Sequence, residues 1–314
     1  MSDIPNMIVI TGPTATGKTA LGVAVAKAVD GEVIGADSMQ IYRYMDIGTA
    51  KPTPAEMDGV PHHMVDIIAP AENYSVSRYV EQATAVADDI LARGKVPVVV
   101  GGTGLYIDSL VAGREFAENQ SDPKLRSMLE QQYDEHGGEA MRAMLHSFDP
   151  DRAEKLHPAD KRRIVRAIEV YLLSGDTITA HDERTKAVPK RYNAVTYALD
   201  FTDRADLYRR IDLRVDRMAV LGLFDEVRAL LDRGVPDDCT AMQAIGYKEA
   251  VLALRGAMTR EEALERIKQS SRQYAKRQLT WLRRDKDIRW VRWDKQPDIP
   301  SAAYRIANDW RASR

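Results

Sequence analysis

Short apolar runs alternate with amphipathic stretches through the first hundred residues. Met7-Ile8-Val9-Ile10 is continuously apolar and ends in Thr11-Gly12-Pro13, the pattern of a strand buried on both faces. Leu21, Val25 and Val29 then recur at the spacing of one helical face. Glu32-Val33-Ile34 predicts a second short strand and residues 77–93 a helix. Residues 96–100 predict a β-branched strand stopped by Gly101-Gly102. This alternation predicts an α/β fold, a parallel sheet core flanked by helices.

The middle of the chain reads differently. Residues 122–175 carry only helical patterns, with Asp122-Pro123 opening one helix and Gly137-Gly138 closing it. Residues 192–199 return to a weak strand pattern, and helices follow over 204–233, 241–254 and 260–283. The predicted layout is a first part of the α/β core over 1–119 and an all-helical insertion domain over 120–190. A return strand and closing helices fill 191–314. No internal repeat interrupts it.

Composition narrows the class. Hydrophobic residues at 44% and charged residues at 29% fit a globular chain of 314 residues. A single cysteine, Cys239, excludes an internal disulfide framework and a cysteine-built zinc cluster. No apolar run approaches the ~20 residues of a membrane span, and residues 1–5 lack a signal-peptide pattern. A cytoplasmic protein with no membrane partner is expected. Nothing hints at a dimer seam, so a monomer is expected. Residues 1–120 carry 8 Lys/Arg against 15 Asp/Glu, whereas the remainder carries 37 against 32. Only the second half therefore suits a polyanion, although an unevenly charged solvated surface gives the same numbers.

Gly12-Pro13-Thr14-Ala15-Thr16-Gly17-Lys18-Thr19 satisfies GxxxxGK[ST] between a predicted strand and a predicted helix. Glycines let successive N–H groups turn inward as an anion nest, and the helix N-terminus adds positive potential. Lys18 reaches the phosphates, and the Thr19 hydroxyl can ligate Mg²⁺. A di- or triphosphate binds such a P-loop, and phosphoryl transfer from ATP or GTP is the default chemistry. Asp37, after the second strand, faces the same sheet edge. It suits a general base or a metal partner, and equally a plain helix cap. Gly101-Gly102-Thr103-Gly104 brings backbone and one hydroxyl toward a ligand. His62-His63 has no further His or Cys cluster beside it and reads as structural.

Seven segments carry a family resemblance: GPTATGKT (12–19), ADSMQIYRYMDIGTAKPT (36–53), PHHMVDI (61–67), VVVGGTGLY (98–106), HPADKRRIVRAIEVY (157–171), QAIGYKE (243–249) and YAKRQLTWLR (274–283). They span nearly the whole chain, which resembles the tRNA dimethylallyltransferases. The resemblance implies transfer of a dimethylallyl group from dimethylallyl diphosphate to N6 of the adenosine 3′ of the anticodon, with diphosphate released. The P-loop, residues 12–19, then cradles a leaving diphosphate, with Mg²⁺ at Thr19. Lys18, Asp37 and Thr103 become the catalytic residues, Asp37 accepting the amine proton. The acceptor base must be flipped out, and Asp37, Ser38, Met39, Gln40 and Thr103 are implied to hold it.

The tRNA anticodon stem-loop is the implied partner. Arg126, the segment Arg162, Arg163, Ile164, Val165, Arg166, and the segment Gln243, Ala244, Ile245, Gly246, Tyr247, Lys248 match family positions that contact it. Arg214 is a candidate diphosphate lid, or else part of solvated i,i+4 pairs. From Arg272 to Arg292 eight Lys/Arg interleave with Trp281, Trp290 and Trp293, which suits phosphate contact and base stacking. An amphipathic helix with core tryptophans is the plainer alternative, favoured for Trp281. A small-molecule kinase, a prenyltransferase of free adenine nucleotides and a non-catalytic RNA-binding protein stay as rival functions. The basic second half favours a polymeric acceptor.

Overall fold

The structure, a computed structural model, describes residues 6–114, 122–187 and 189–314. Two compact units result, residues 1–113 with 191–314 and residues 114–190. The predicted 119/120 boundary falls outside the described residues, as do residues 1–5.

The larger unit opens with β1 (Met7–Thr11), α1 (Lys18–Val29), β2 (Gly31–Gly35), the short α2 (Pro54–Met57), β3 (His62–His63), α3 (Val76–Ala92), β4 (Val96–Gly101) and α4 (Gly104–Ala112). Four helices form the smaller unit: α5 (Pro123–His146), α6 (Pro150–Lys155), α7 (Lys161–Ser174) and α8 (Ile178–Ala187). The larger unit resumes with β5 (Ala194–Phe201), α9 (Arg204–Leu221), α10 (Leu223–Asp232), α11 (Tyr247–Leu254), α12 (Arg260–Leu282), β6 (Arg289–Trp293) and α13 (Ile299–Ala312).

Six strands pair in the order β3-β2-β4-β1-β5-β6, every pair parallel. The α/β parallel sheet expected from the sequence is thus present. Every residue of β1 and β2 is buried, which explains the unbroken apolar run of β1; in β2 the buried Glu32 interrupts the run. Helices cover the sheet through a core that includes Ile8, Ile10, Leu21, Leu199 and Trp310. Chain order reverses around β1, so the loops after β1, β2 and β4 converge at one sheet edge. That is where open α/β sheets bind ligands.

Four expectations need correction. The predicted helix over 204–233 is two helices, because Gly222 adopts φ 100 in the left-handed region and stops α9. The predicted helix over 241–254 begins only at Tyr247. The basic run near residue 290 is the edge strand β6, and Trp293 is buried in the main core rather than offered to RNA. Trp281, expected in the core, is instead 38% exposed.

The His pair forms the opposite edge strand. His63 Nε2 lies 2.8 Å from Glu32 Oε2, and Arg93 holds the same carboxylate. The Arg93 hydrogen bonds, against burial, draw the Glu32 pKa down to about 2. Among the described residues no cluster of three or more His, Cys, Asp or Glu side chains is arranged to hold a metal. No described helix is long and apolar enough to cross a membrane.

The smaller unit packs Leu129, Met141, Leu145, Ile164, Val165 and Ile168 into its own core. Asp122 caps α5 by accepting the N–H of Lys124 at 2.8 Å, with Pro123 at the first helical position. The backbone leaves helical geometry at Gly137, inside α5, where the sequence predicted an end.

Candidate active site

The loop between β1 and α1 is held from its outer side. Arg210 Nε donates to the Ala15 carbonyl at 3.0 Å, and Trp293 Nε1 donates to the Thr16 carbonyl at 2.9 Å. The Thr16 hydroxyl donates to the Pro13 carbonyl at 2.8 Å. With the carbonyls pinned outward, the N–H groups of residues 15–19 turn inward and meet no backbone acceptor among the described residues. Gly12 makes the first bend at φ 143, where an added Cβ would lie 2.7 Å from the Leu199 carbonyl oxygen. Only glycine fits there. The resulting concavity is an anion nest at a helix N-terminus.

It opens into a cavity of about 770 Å³, well inside the range of small-ligand sites. Lys18, Asp37 and Arg214 all line this cavity. Lys18 Nζ donates to the Pro13 carbonyl at 2.8 Å. Burial, followed by the Arg214 charge, lowers the Lys18 pKa to about 8, while Asp37 pulls it upward. Burial also lowers the Arg214 pKa, again opposed by Asp37. One carboxylate therefore faces two desolvated cations, an arrangement that favours an incoming anion.

Asp37 follows β2, and its Oδ1 accepts the Met39 N–H at 2.9 Å. Thr103, after β4, accepts the Ser38 N–H at 3.1 Å through its hydroxyl. The structure thus brings the Asp37 loop to Thr103 through Ser38, 65 residues away in sequence. Thr103 also hydrogen-bonds the Tyr274 side chain, whose pKa burial and the Asp37 charge push up to about 12. Tyr274 is consequently neutral at every working pH. Gln40 Nε2 donates to the Thr49 and Ala50 carbonyls at 3.2 and 3.1 Å, and Arg214 Nη2 donates to the Thr49 carbonyl at 3.2 Å. Gln40 therefore braces the loop at 49–50 with its amide nitrogen, leaving Oε1 for a ligand.

Thr19 also lines the cavity, and its hydroxyl is engaged by no partner among the described residues. That hydroxyl and the Asp37 Oδ2 are hard oxygen donors, the kind Mg²⁺ takes together with water and phosphate oxygens. The residues fit such an ion. An apolar wall of Met39, Ile211, Val215, Met218, Ile245 and Ile267 completes the cavity. It suits a small hydrocarbon group, and no short motif announces it because its residues come from scattered elements.

The segment 243–248 divides. Gln243 and Lys248 are exposed, and together with Ala244 and Ile245 they line the cavity. Gly246 and Tyr247 are buried: the Gly246 N–H donates to Glu249 at 2.8 Å and the Tyr247 hydroxyl to Glu226 at 2.6 Å. Both hold the wall in place, and Tyr247 also lines the cavity. Glu226 itself was invisible in the sequence. Besides Tyr247, it accepts the N–H groups of Asp46, Ile47 and Gly48 at 2.8, 2.7 and 3.1 Å.

In the smaller unit, Arg126 and Arg166 converge on Glu169. Arg126 Nη2 and Arg166 Nη1 each lie 2.8 Å from Glu169 Oε2, and Glu169 is fully buried. Arg162 and Arg163 are exposed, Arg163 pairing with Asp160 at 2.7 Å. Ile164 and Val165 point into the core at 0% and 2% exposure. Their side chains cannot contact RNA, so only the arginines of that segment remain candidates.

The sequence pattern of the IPP transferase family matches residues 40–285, and that of the isopentenyl transferases matches residues 5–66. A tRNA dimethylallyltransferase of Carboxydothermus hydrogenoformans is 49% identical over 284 residues, covering 90% of this chain and 91% of that protein. One of Pelotomaculum thermopropionicum is 46% identical over 301 residues, covering 96% and 95%. The tRNA isopentenylpyrophosphate transferase of Bacillus halodurans superposes with a TM-score of 0.73 at 41% identity, covering 98% of each chain. A eukaryotic dimethylallyltransferase solved acting on tRNA gives 0.82 at 30% identity, covering 98% of this chain and 80% of that one.

Proposed function

The chain belongs to the IPP transferase family, and from that premise we propose that it is a tRNA dimethylallyltransferase using dimethylallyl diphosphate as donor. The acceptor is N6 of the adenosine immediately 3′ of the anticodon. One observation carries this reading: an anion nest, two desolvated cations, one carboxylate and an apolar wall share a single cavity.

The inward N–H groups, Lys18 and Arg214 receive the diphosphate, and the apolar wall receives the five-carbon chain. Attack by the adenine amine forms the C–N bond as the allylic C–O bond breaks, and the bonding pair leaves with the diphosphate. Negative charge grows on the departing oxygens, so the preorganised donors hold the transition state more tightly than the ground state. Asp37 takes the N6 proton, and Thr103, hydrogen-bonded to the Asp37 loop and to Tyr274, positions the reacting groups. Thr19 and Asp37 would hold a Mg²⁺ ion, which when bound would supply charge neutralisation for the diphosphate.

The adenine reaches the cavity only when extruded from its stack, at a cost of a few kcal/mol. Arg126, Arg162, Arg163 and Arg166 give the smaller unit a basic face suited to the phosphates of the anticodon stem-loop. The protein works as a monomer in the cytoplasm, where its tRNA acceptor resides.

The test supplies Mg²⁺, unmodified tRNA and either labelled dimethylallyl diphosphate or labelled ATP. Label enters RNA from the prenyl donor alone. Asp37→Ala retains diphosphate binding and loses about 10²–10⁴-fold in transfer, the usual share of a positioned base. Transfer at the unaltered rate in that variant removes Asp37 from the role.

A further inference from the structure

Gln278 stands on α12, 264 residues from the loop it touches. Its Oε1 accepts the Thr14 N–H at 3.1 Å, and its Nε2 donates to the Gly102 carbonyl at 2.9 Å. The partners fix its orientation, since an N–H can only donate and a carbonyl can only accept. The side chain is 8% exposed and lines the cavity. It packs so closely on Gly102 that an added Cβ there has no room.

The anion nest is thereby shortened. Pro13 has no N–H to offer. Thr14 provides the first N–H after Gly12, and Gln278 already occupies it. Only the donors of residues 15–19, at the helix end, stay open to an anion. A phosphate chain lying along the loop from that end meets the Gln278 carboxamide where a third phosphoryl group would sit. A triphosphate must either displace a buried, doubly bonded side chain or leave its last phosphate without a loop donor.

Resting on the proposed diphosphate chemistry, we infer that Gln278 is the specificity-determining residue that sets the length of the cradle to two phosphoryl groups. It excludes nucleoside triphosphates and inorganic triphosphate from a loop whose sequence alone suits both. A charged group is not needed for this selection. The amide oxygen satisfies Thr14 when the site is empty and stays in place when a diphosphate enters.

The test is competition against labelled dimethylallyl diphosphate by inorganic pyrophosphate and by tripolyphosphate, each with Mg²⁺. The wild-type protein is expected to prefer pyrophosphate by tenfold or more. In Gln278→Ala the Thr14 N–H and the space above it are released, and the preference falls at least tenfold. Gln278→Met keeps the length and packing of the side chain but cannot accept a hydrogen bond from Thr14. It guards against a misfolded alanine variant and is expected to lower the preference as well. An unchanged preference in a folded variant that still binds the prenyl donor overturns the inference and leaves the prenyltransferase reading intact. Equal inhibition by both anions in the wild type also overturns it. A wild type that binds ATP productively and ignores dimethylallyl diphosphate defeats the prenyltransferase reading itself.

Discussion

Glu226→Ala removes one acceptor from four donors. The N–H groups of Asp46, Ile47 and Gly48 and the Tyr247 hydroxyl all end on this carboxylate. The Asp46 contact is exposed and water replaces it at little cost, whereas the other three are partly buried. At about 1 kcal/mol for each of three buried donors left without a partner, the loss is about 3 kcal/mol. For a unit of this size that lowers the melting midpoint by about 6–12 °C. The same change reaches the cavity. Gly48 lies flat against the Tyr247 ring, and the next carbonyl, that of Thr49, holds Arg214 and Gln40. Loosening residues 46–50 frees Arg214 from its aim, so dimethylallyl diphosphate binds more weakly. Glu226→Gln keeps one carbonyl acceptor and is expected to fall between wild type and alanine. The assay pairs thermal denaturation with titration of the prenyl donor. A Glu226→Ala protein that melts within about 1 °C of wild type and binds the donor equally well refutes this reasoning.

Three further outcomes follow from the site. Because burial lowers the Lys18 pKa to about 8 in the empty cavity, diphosphate binding at pH 8.5–9 takes up a proton, seen as a buffer-dependent binding heat. The sign for stability is opposite to that of a paired lysine: the folded pKa lies below the ordinary lysine value of 10.5, so the charged form costs stability below about pH 8 and the cost is relieved between about 8 and 10.5. Arg162→Ala weakens tRNA binding and lowers the slope of log affinity against log salt by about 1, while donor binding is unchanged; an unaltered slope excludes that arginine from phosphate contact. Chelation of Mg²⁺ abolishes transfer and Thr19→Ala raises the Mg²⁺ concentration at half-maximal rate, whereas full turnover in chelator removes the ion from the reaction.

Local signals made the scaffold readable. The apolar run at 7–10, the GxxxxGK[ST] loop and the glycines at 101–104 each specify geometry within a few residues, and all three stand where the sequence put them. Contiguous motifs misled where only one face of an element matters. Ile164 and Val165 lie between arginines in sequence, but their α7 positions turn them into the core. Trp281 and Trp293 sit in the same basic run, and the change from helix to strand sends one outward and one inward. Gln278 and Glu226 were not legible because their loop partners lie 176 to 264 residues away and depend on the completed topology. The apolar wall of the cavity was hidden for the same reason.

The dependence of the loop at 12–19 on Trp293 and Gln278 has a consequence for biosynthesis. At about 5–20 residues per second, a ribosome that has finished the loop needs roughly a quarter of a minute to a minute more to deliver the segments that shape it. Throughout that interval the nascent polypeptide displays a glycine-bearing turn with no tryptophan behind it and no carboxamide above it. Competence to hold a phosphate is therefore acquired late and all at once, when the sixth strand docks at the sheet margin.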